Sequence, residues 1–283
     1  MPSPYMTQWS DPRWCEAQYN NRQIVADAVT YIERWPQWAE ATRAKLPHRA
    51  NIAYGPHARE VFDIFPAENA KGMFAFIHGG YWRALSKNDF SWIAEHLVAA
   101  GYSVAIITYP LAPEVTISAI MDCGRNAIVK LWSEISDRER ANLVLSGHSA
   151  GGHAVADLFA TNWSARGLPA SPFTGGLPIS GVFELLPLVH TAMNSDIRLT
   201  PDTATAWSID QRTPLVQAPQ ILAVGGGESA EFIRQSVDQA ARWASHDASI
   251  AIIPERNHFN IVDELRDPAS TLFGLAIKLL TAR

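Results

Sequence analysis

After Pro47 the chain becomes a succession of short apolar runs separated by turn residues and amphipathic stretches, and this alternation limits the fold more than any other feature. Runs at 61–65 and 73–77 predict the first two strands, close enough in sequence to be antiparallel neighbours. A helix over 89–100 leads through Gly101 to a strand at 103–108, a helix over 117–136 leads to 143–145, and one over 151–162 leads to 176–179. Two further strands are predicted at 220–224 and 249–253, with a helix over 231–244 between them and a closing helix over 268–281. The later strands lack in-and-out alternation. Strands that are apolar throughout are buried on both faces, as in a mainly parallel sheet covered by helices.

The 283 residues suit one α/β domain of this kind, 1–283, rather than two. It opens with an N-terminal helical extension, 1–46, with Ile24, Ala28, Ile32, Trp35 and Trp38 at mostly helical spacing and Pro36 placed to break or kink the run. Four of the ten tryptophans (Trp9, Trp14, Trp35, Trp38) fall there, as pins to the body or as a lid over a pocket. The stretch 183–214 has weaker periodicity and reads as a cap-like insertion of loops and short helices over the sheet.

Within this frame Gly147-His148-Ser149-Ala150-Gly151 matches G-x-S-x-G at the junction of a buried strand and a helix, which is where a nucleophilic serine on a sharp turn must sit. The flanking glycines remove the Cβ atoms that would collide as strand and helix close together. His78-Gly79-Gly80-Tyr81-Trp82 follows an early strand, in the position of a loop that supplies oxyanion-hole donors. The donors expected are the N–H groups of Gly80, Tyr81 and Ala150, the last at a helix start where the dipole also favours negative charge. His78 is expected to brace the loop. The base in this arrangement comes late in the chain, and His258 fills that place directly after the strand at 249–253. The acid that orients it should follow the preceding strand, where Gly225-Gly226-Gly227 leads into Glu228, with Glu231 as the alternative at a helix start. The triple glycine matches neither G-x-G-x-x-G nor a P-loop, so it is read as clearance for the acid loop. Tyr81 and Trp82 are candidates for substrate binding, Trp82 with an equal claim as a core anchor.

These residues resemble the kynurenine (aryl) formamidases and their esterase relatives among the α/β-hydrolases. The resemblance covers most of the chain and rests on 78–82, on Tyr109-Pro110-Leu111-Ala112-Pro113-Glu114-Val115-Thr116, on Gly147 to His153, on 228–236, on Asn257-His258-Phe259 and on Tyr19-Asn20-Asn21-Arg22. In many of those enzymes the acid is Asp where this chain has Glu228. The resemblance implies an α/β-hydrolase fold and cleavage of an N-formyl or N-acyl aromatic amine, with small esters as the alternative substrates. A non-catalytic ligand receptor on the same fold is a third reading, and the complete Ser/His/Glu set counts against it.

A formal charge of -5 and the lack of a Lys/Arg cluster speak against nucleic acid as a partner. No apolar run is long enough to span a membrane, and Met1 to Tyr5 lack a leader pattern, so a soluble cytoplasmic protein is expected. Cys15 and Cys123 lie in no metal-ligand spacing, so neither a disulfide framework nor a metal site is indicated. The chemistry needs no cofactor. The expected partner is a small ester or amide; a homodimer is an expectation that no motif carries.

Overall fold

The structure, a computed structural model, describes residues 6–282. Met1 to Tyr5, where the leader pattern was sought, lie outside the described residues. Eight strands are present: β1 (Arg49–Ala53), β2 (Val61–Phe65), β3 (Met73–Ile77), β4 (Ser103–Ile107), β5 (Leu143–His148), β6 (Gly175–Ile179), β7 (Gln220–Gly225) and β8 (Ala248–Ile253). They form one sheet in the order β1-β2-β4-β3-β5-β6-β7-β8. β2 runs antiparallel to both its neighbours, and every other pairing is parallel.

The two-sided burial inferred from apolar strands is visible residue by residue. On β3, Phe74 and Phe76 enter the core on one face of the sheet while Ala75 and Ile77 enter the core on the other; Val104 and Ile106 divide from Ala105 and Ile107 on β4 in the same way. Helices cover both faces. The Ile117–Glu134 helix is capped by Thr116, whose side chain accepts from the Ala119 N–H, and the Ala230–Arg242 helix is capped by Ser229 through the Phe232 N–H.

Four expectations need correction. β2 and β3 are not neighbours: β4 lies between them, because β3, buried along its whole length, takes the sheet centre with a parallel partner on each side. β8 is not buried on both faces; it is an edge strand with Ile250 38% and Ile252 48% exposed. β1, at the opposite edge, escapes sequence reading because it is short, polar and largely exposed. Finally, the Ala28–Lys45 helix runs on through Pro36. Trp35 and Ala39, both buried, hold it to the body on either side of the proline, so packing outweighs the lost backbone hydrogen bond. The predicted 89–100 helix begins as two 3-10 turns and becomes α-helical at Ala94–Ala99.

Trp35 packs against Phe90 and Phe259 at 5.1 and 6.1 Å and donates its indole N–H to Asp263 Oδ1 at 2.7 Å. The extension is thereby fastened beside the His258 loop. The 183–214 stretch contains a 3-10 turn, Leu186–His190, and two short helices, Asn194–Ile197 and Pro201–Trp207. Among the described residues, no helix is long and apolar enough to cross a membrane.

Candidate active site

β5 ends at His148, and the next residue turns the chain into the Ala150–Phe159 helix. That residue, Ser149, has φ 57° and ψ −117°, a backbone conformation that side-chain-bearing residues rarely adopt. Two things hold it there. The Ser149 N–H donates to the Ile179 carbonyl at 2.8 Å. Gly147 and Gly151 let strand and helix close: a Cβ on Gly151 would run into the Ile77 carbonyl oxygen, and one on Gly147 into the carbonyl of Gly151.

His258 stands on the loop after β8. Asn257 fastens that loop, its Oδ1 accepting from the Phe259 and Asn260 N–H groups at 2.9 Å each. The imidazole lies between His148 and Phe232, with ring centroids 4.8 and 4.6 Å away. Its Nδ1 is 2.7 Å from Glu228 Oε2, and the Glu228 side chain is fully buried. A carboxylate can only accept there, so Nδ1 carries the proton and Nε2 is left as the acceptor. The other oxygen of Glu228 accepts from the Gly225 N–H at 2.8 Å and from Ser180 Oγ at 2.5 Å. A buried carboxylate with three donors is held in one orientation.

Facing Ser149 is the 78–82 loop. Gly79 approaches so closely that an added Cβ would lie 3.1 Å from the Ser149 Cβ. Gly80, Tyr81 and Trp82 have φ of 104°, 49° and 56°, three successive left-handed residues. His78 braces the loop from beneath: its ring stacks on Tyr109 at 4.3 Å, Nδ1 donates to the Gly79 carbonyl at 2.7 Å, and Nε2 accepts from Thr108 Oγ1 at 3.0 Å. Complete burial pushes the His78 pKa down to about 3, so the ring is neutral. Among the described residues, nothing accepts from the N–H groups of Gly80, Tyr81 or Ala150. Ser149, His258, Gly80 and Tyr81 line one cleft.

A profile of the alpha/beta hydrolase fold matches residues 74–223, the span from β3 through β7 that carries both the 78–82 loop and the serine turn. The chain belongs to that family. It is 26% identical to a kynurenine formamidase of Salmo salar over 97% of this chain and 99% of that one. A kynurenine formamidase of Danio rerio is 25% identical, with 96% and 94% covered. Among solved structures, a putative thioesterase from Silicibacter sp. tm1040 superposes with a TM-score of 0.83 at 34% identity, covering 94% of this chain and 99% of that chain. Esterase B of Lactobacillus rhamnosis, at 15% identity and a TM-score of 0.67 over 90% of this chain and 94% of its own, shares the fold.

In this α/β-hydrolase two of the residues singled out from sequence lie away from the cleft. Glu231 does not meet His258. It is fully buried against Tyr19 and Arg234, with its carboxylate accepting from Tyr19 Oη at 2.7 Å and from Arg234 Nε at 2.7 Å. The helix start after Ser229 turns it from the acid loop toward the N-terminal segment. Trp82 is a core residue with no exposure, edge-on to His153 at 5.3 Å, and it does not line the cleft; the left-handed turn at 81–82 carries its ring inward. Tyr81 does line the cleft, and its hydroxyl donates to the Tyr19 carbonyl at 2.7 Å.

Sequence reasoning missed Ser180, which completes the Glu228 setting; its position one residue beyond β6 was the available signal. It also missed His148, whose Nε2 donates to the His258 carbonyl at 2.8 Å and so fixes the loop, burial holding its pKa well below the ordinary histidine value. Among the described residues, no group of three or more His, Cys, Asp or Glu side chains is placed to hold a metal ion.

Proposed function

We propose that this protein is a serine hydrolase that cleaves the amide bond of an N-formylated or N-acylated aromatic amine through an acyl-enzyme. The observation that carries the reading is the 2.7 Å contact between His258 Nδ1 and Glu228 Oε2, in a cleft shared with a serine held at φ 57°. With its tautomer set by Glu228, His258 Nε2 accepts the Ser149 proton as Oγ attacks the carbonyl. Negative charge develops on the carbonyl oxygen and is held by the N–H groups of Gly80, Tyr81 and Ala150, each worth roughly 3 kcal/mol in the transition state. The imidazolium then protonates the departing amine, and the same nitrogen activates the water that releases the acyl group. The steps use only side chains, backbone amides and water.

The relatives named kynurenine formamidase favour the formamide among possible acyl groups. A second reading, hydrolysis of small esters or thioesters, is favoured by the putative thioesterase at 34% identity. Steady-state turnover of N-formylkynurenine beside p-nitrophenyl acetate separates them, with Ser149→Ala in parallel. A higher kcat/KM on the formamide, lost in the variant, supports the first reading; turnover of the ester alone supports the second; a folded Ser149→Ala protein with substantial activity overturns both.

A further inference from the structure

The helix Pro12–Tyr19 is fastened at its C-terminal end from two sides. The Tyr19 hydroxyl donates to Glu231 Oε2 at 2.7 Å and accepts from Gln235 Nε2 at 2.8 Å, while the Tyr19 carbonyl accepts from the Tyr81 hydroxyl at 2.7 Å. Next to it, the Gln18 carbonyl accepts from Ser229 Oγ at 2.7 Å, and Gln18 Oε1 accepts from the Glu231 N–H at 3.2 Å. These bonds tie the N-terminal segment at once to the 78–82 loop and to the helix that follows Glu228. The three residues that come next, Asn20, Asn21 and Arg22, line the cleft together with Ser149 and His258. A wall anchored in this way is ordered before a ligand arrives.

The wall has a definite chemistry. Two arginines line the cleft, Arg22 and Arg83, and no Asp or Glu does. Arg83 is already paired with Asp196. Arg22, exposed at the cleft, has no hydrogen bond or ion pair among the described residues. Beside it Asn21 is only 4% exposed, yet its Nδ2 has no hydrogen-bond partner. Buried donors are nearly always satisfied, and this one, sealed from solvent in the unliganded fold, gains a partner from a ligand once the Asn21 side chain turns toward the cleft that the residue lines.

We propose that Asn21 and Arg22 are specificity-determining residues that bind a carboxylate carried by the substrate. One unpaired guanidinium fork and one amide donor match a planar, singly charged acceptor; a phosphate asks for more positive charge than this wall carries. The inference rests on the hydrolase reading of the cleft, and adds that the N-terminal segment selects anionic over neutral substrates.

The test is equilibrium binding to the Ser149→Ala protein, in which the proposed chemistry is switched off and ligands stay intact. Two probes differ by the carboxylate alone, 2-formamidobenzoate and formanilide, and are titrated by calorimetry with and without Arg22→Ala or Arg22→Lys. The acid is expected to bind about tenfold or more tightly than the neutral amide, as a charge-assisted hydrogen bond implies. Arg22→Ala should erase that preference, Arg22→Lys should keep part of it, and added salt should shrink it. Arg22 is exposed, so both variants are expected to fold, and Asn21→Asp gives an independent loss by placing a negative charge beside the carboxylate. Equal binding of the two probes, or a preference that survives Arg22→Ala, overturns the proposal. So does Arg22-dependent binding of coenzyme A without that of 2-formamidobenzoate, which would assign the wall to phosphate. Wild-type hydrolysis of both probes and of p-nitrophenyl acetate, run alongside, tests the hydrolase reading separately, because the binding comparison does not depend on turnover.

Discussion

Glu228 and Glu231 are three positions apart, both with buried side chains, and make different contacts. Glu228 spends its oxygens on His258, Gly225 and Ser180, whereas Glu231 closes a charge network with Arg234, which also reaches Glu184 and Asp238. On the proposed mechanism Glu228→Ala should lower kcat by about 10³- to 10⁴-fold, as loss of the orienting acid does elsewhere, and leave the urea midpoint nearly in place. Glu231→Ala should do the reverse, costing about 3 kcal/mol of stability by stripping a partner from a buried guanidinium, with kcat in the folded protein within about tenfold of wild type. Kinetics and urea denaturation on the two variants check both halves. Ser149 is the other informative residue. Its backbone conformation costs about 1–3 kcal/mol, so Ser149→Gly, though inactive, should unfold at higher urea than Ser149→Ala by about 1 kcal/mol. Equal midpoints would mean that the turn stores no strain.

At the level of elements, what positions the site is the closeness of β3, β5 and the helix after Ser149. Gly151→Ala should fail to give soluble, active protein, because the new methyl group meets the Ile77 carbonyl at the tightest point of the fold; expression and circular dichroism decide it. Ile252→Thr, on the exposed edge strand, should change stability by no more than about 0.5 kcal/mol. The same contrast explains what could be read in advance. Central strands were legible because both faces are buried and their apolar runs are continuous; the place of Ser149 was legible because it follows such a strand, β5, and that of His258 because it follows the apolar run of β8. The edges were not: β8 is as apolar as a central strand, and β1 is too polar to stand out. Nor could local sequence say that β4 inserts between β2 and β3. The part played by residues 18–22 was hidden for another reason. It depends on contacts such as Tyr19 with Glu231, 212 positions apart, and no local pattern encodes them.

For the whole molecule, three buried histidines couple folding to pH. Burial pushes His78 down to about 3 and His153 to about 4, and holds His148 well below its ordinary value. All three are therefore neutral when folded, whereas the unfolded chain takes up protons near pH 6.5. Between about pH 6.5 and 4 the unfolded state binds more protons than the native state, so stability rises with pH and is lost as pH falls through that window. Glu184 and Asp263, whose carboxyls burial pushes upward, act in the opposite sense. The urea midpoint should be lower at pH 5 than at pH 7; a midpoint that rises on acidification would contradict neutral burial of the histidines. The central claim is that Ser149 is the nucleophile of a hydrolase. Intact-mass analysis after treatment with a phosphonate ester tests it most directly. One adduct per chain, mapped to Ser149, formed in step with loss of hydrolysis and slowed strongly in His258→Ala, is the predicted result; an adduct elsewhere, or turnover that persists when Ser149 is fully modified, would contradict it.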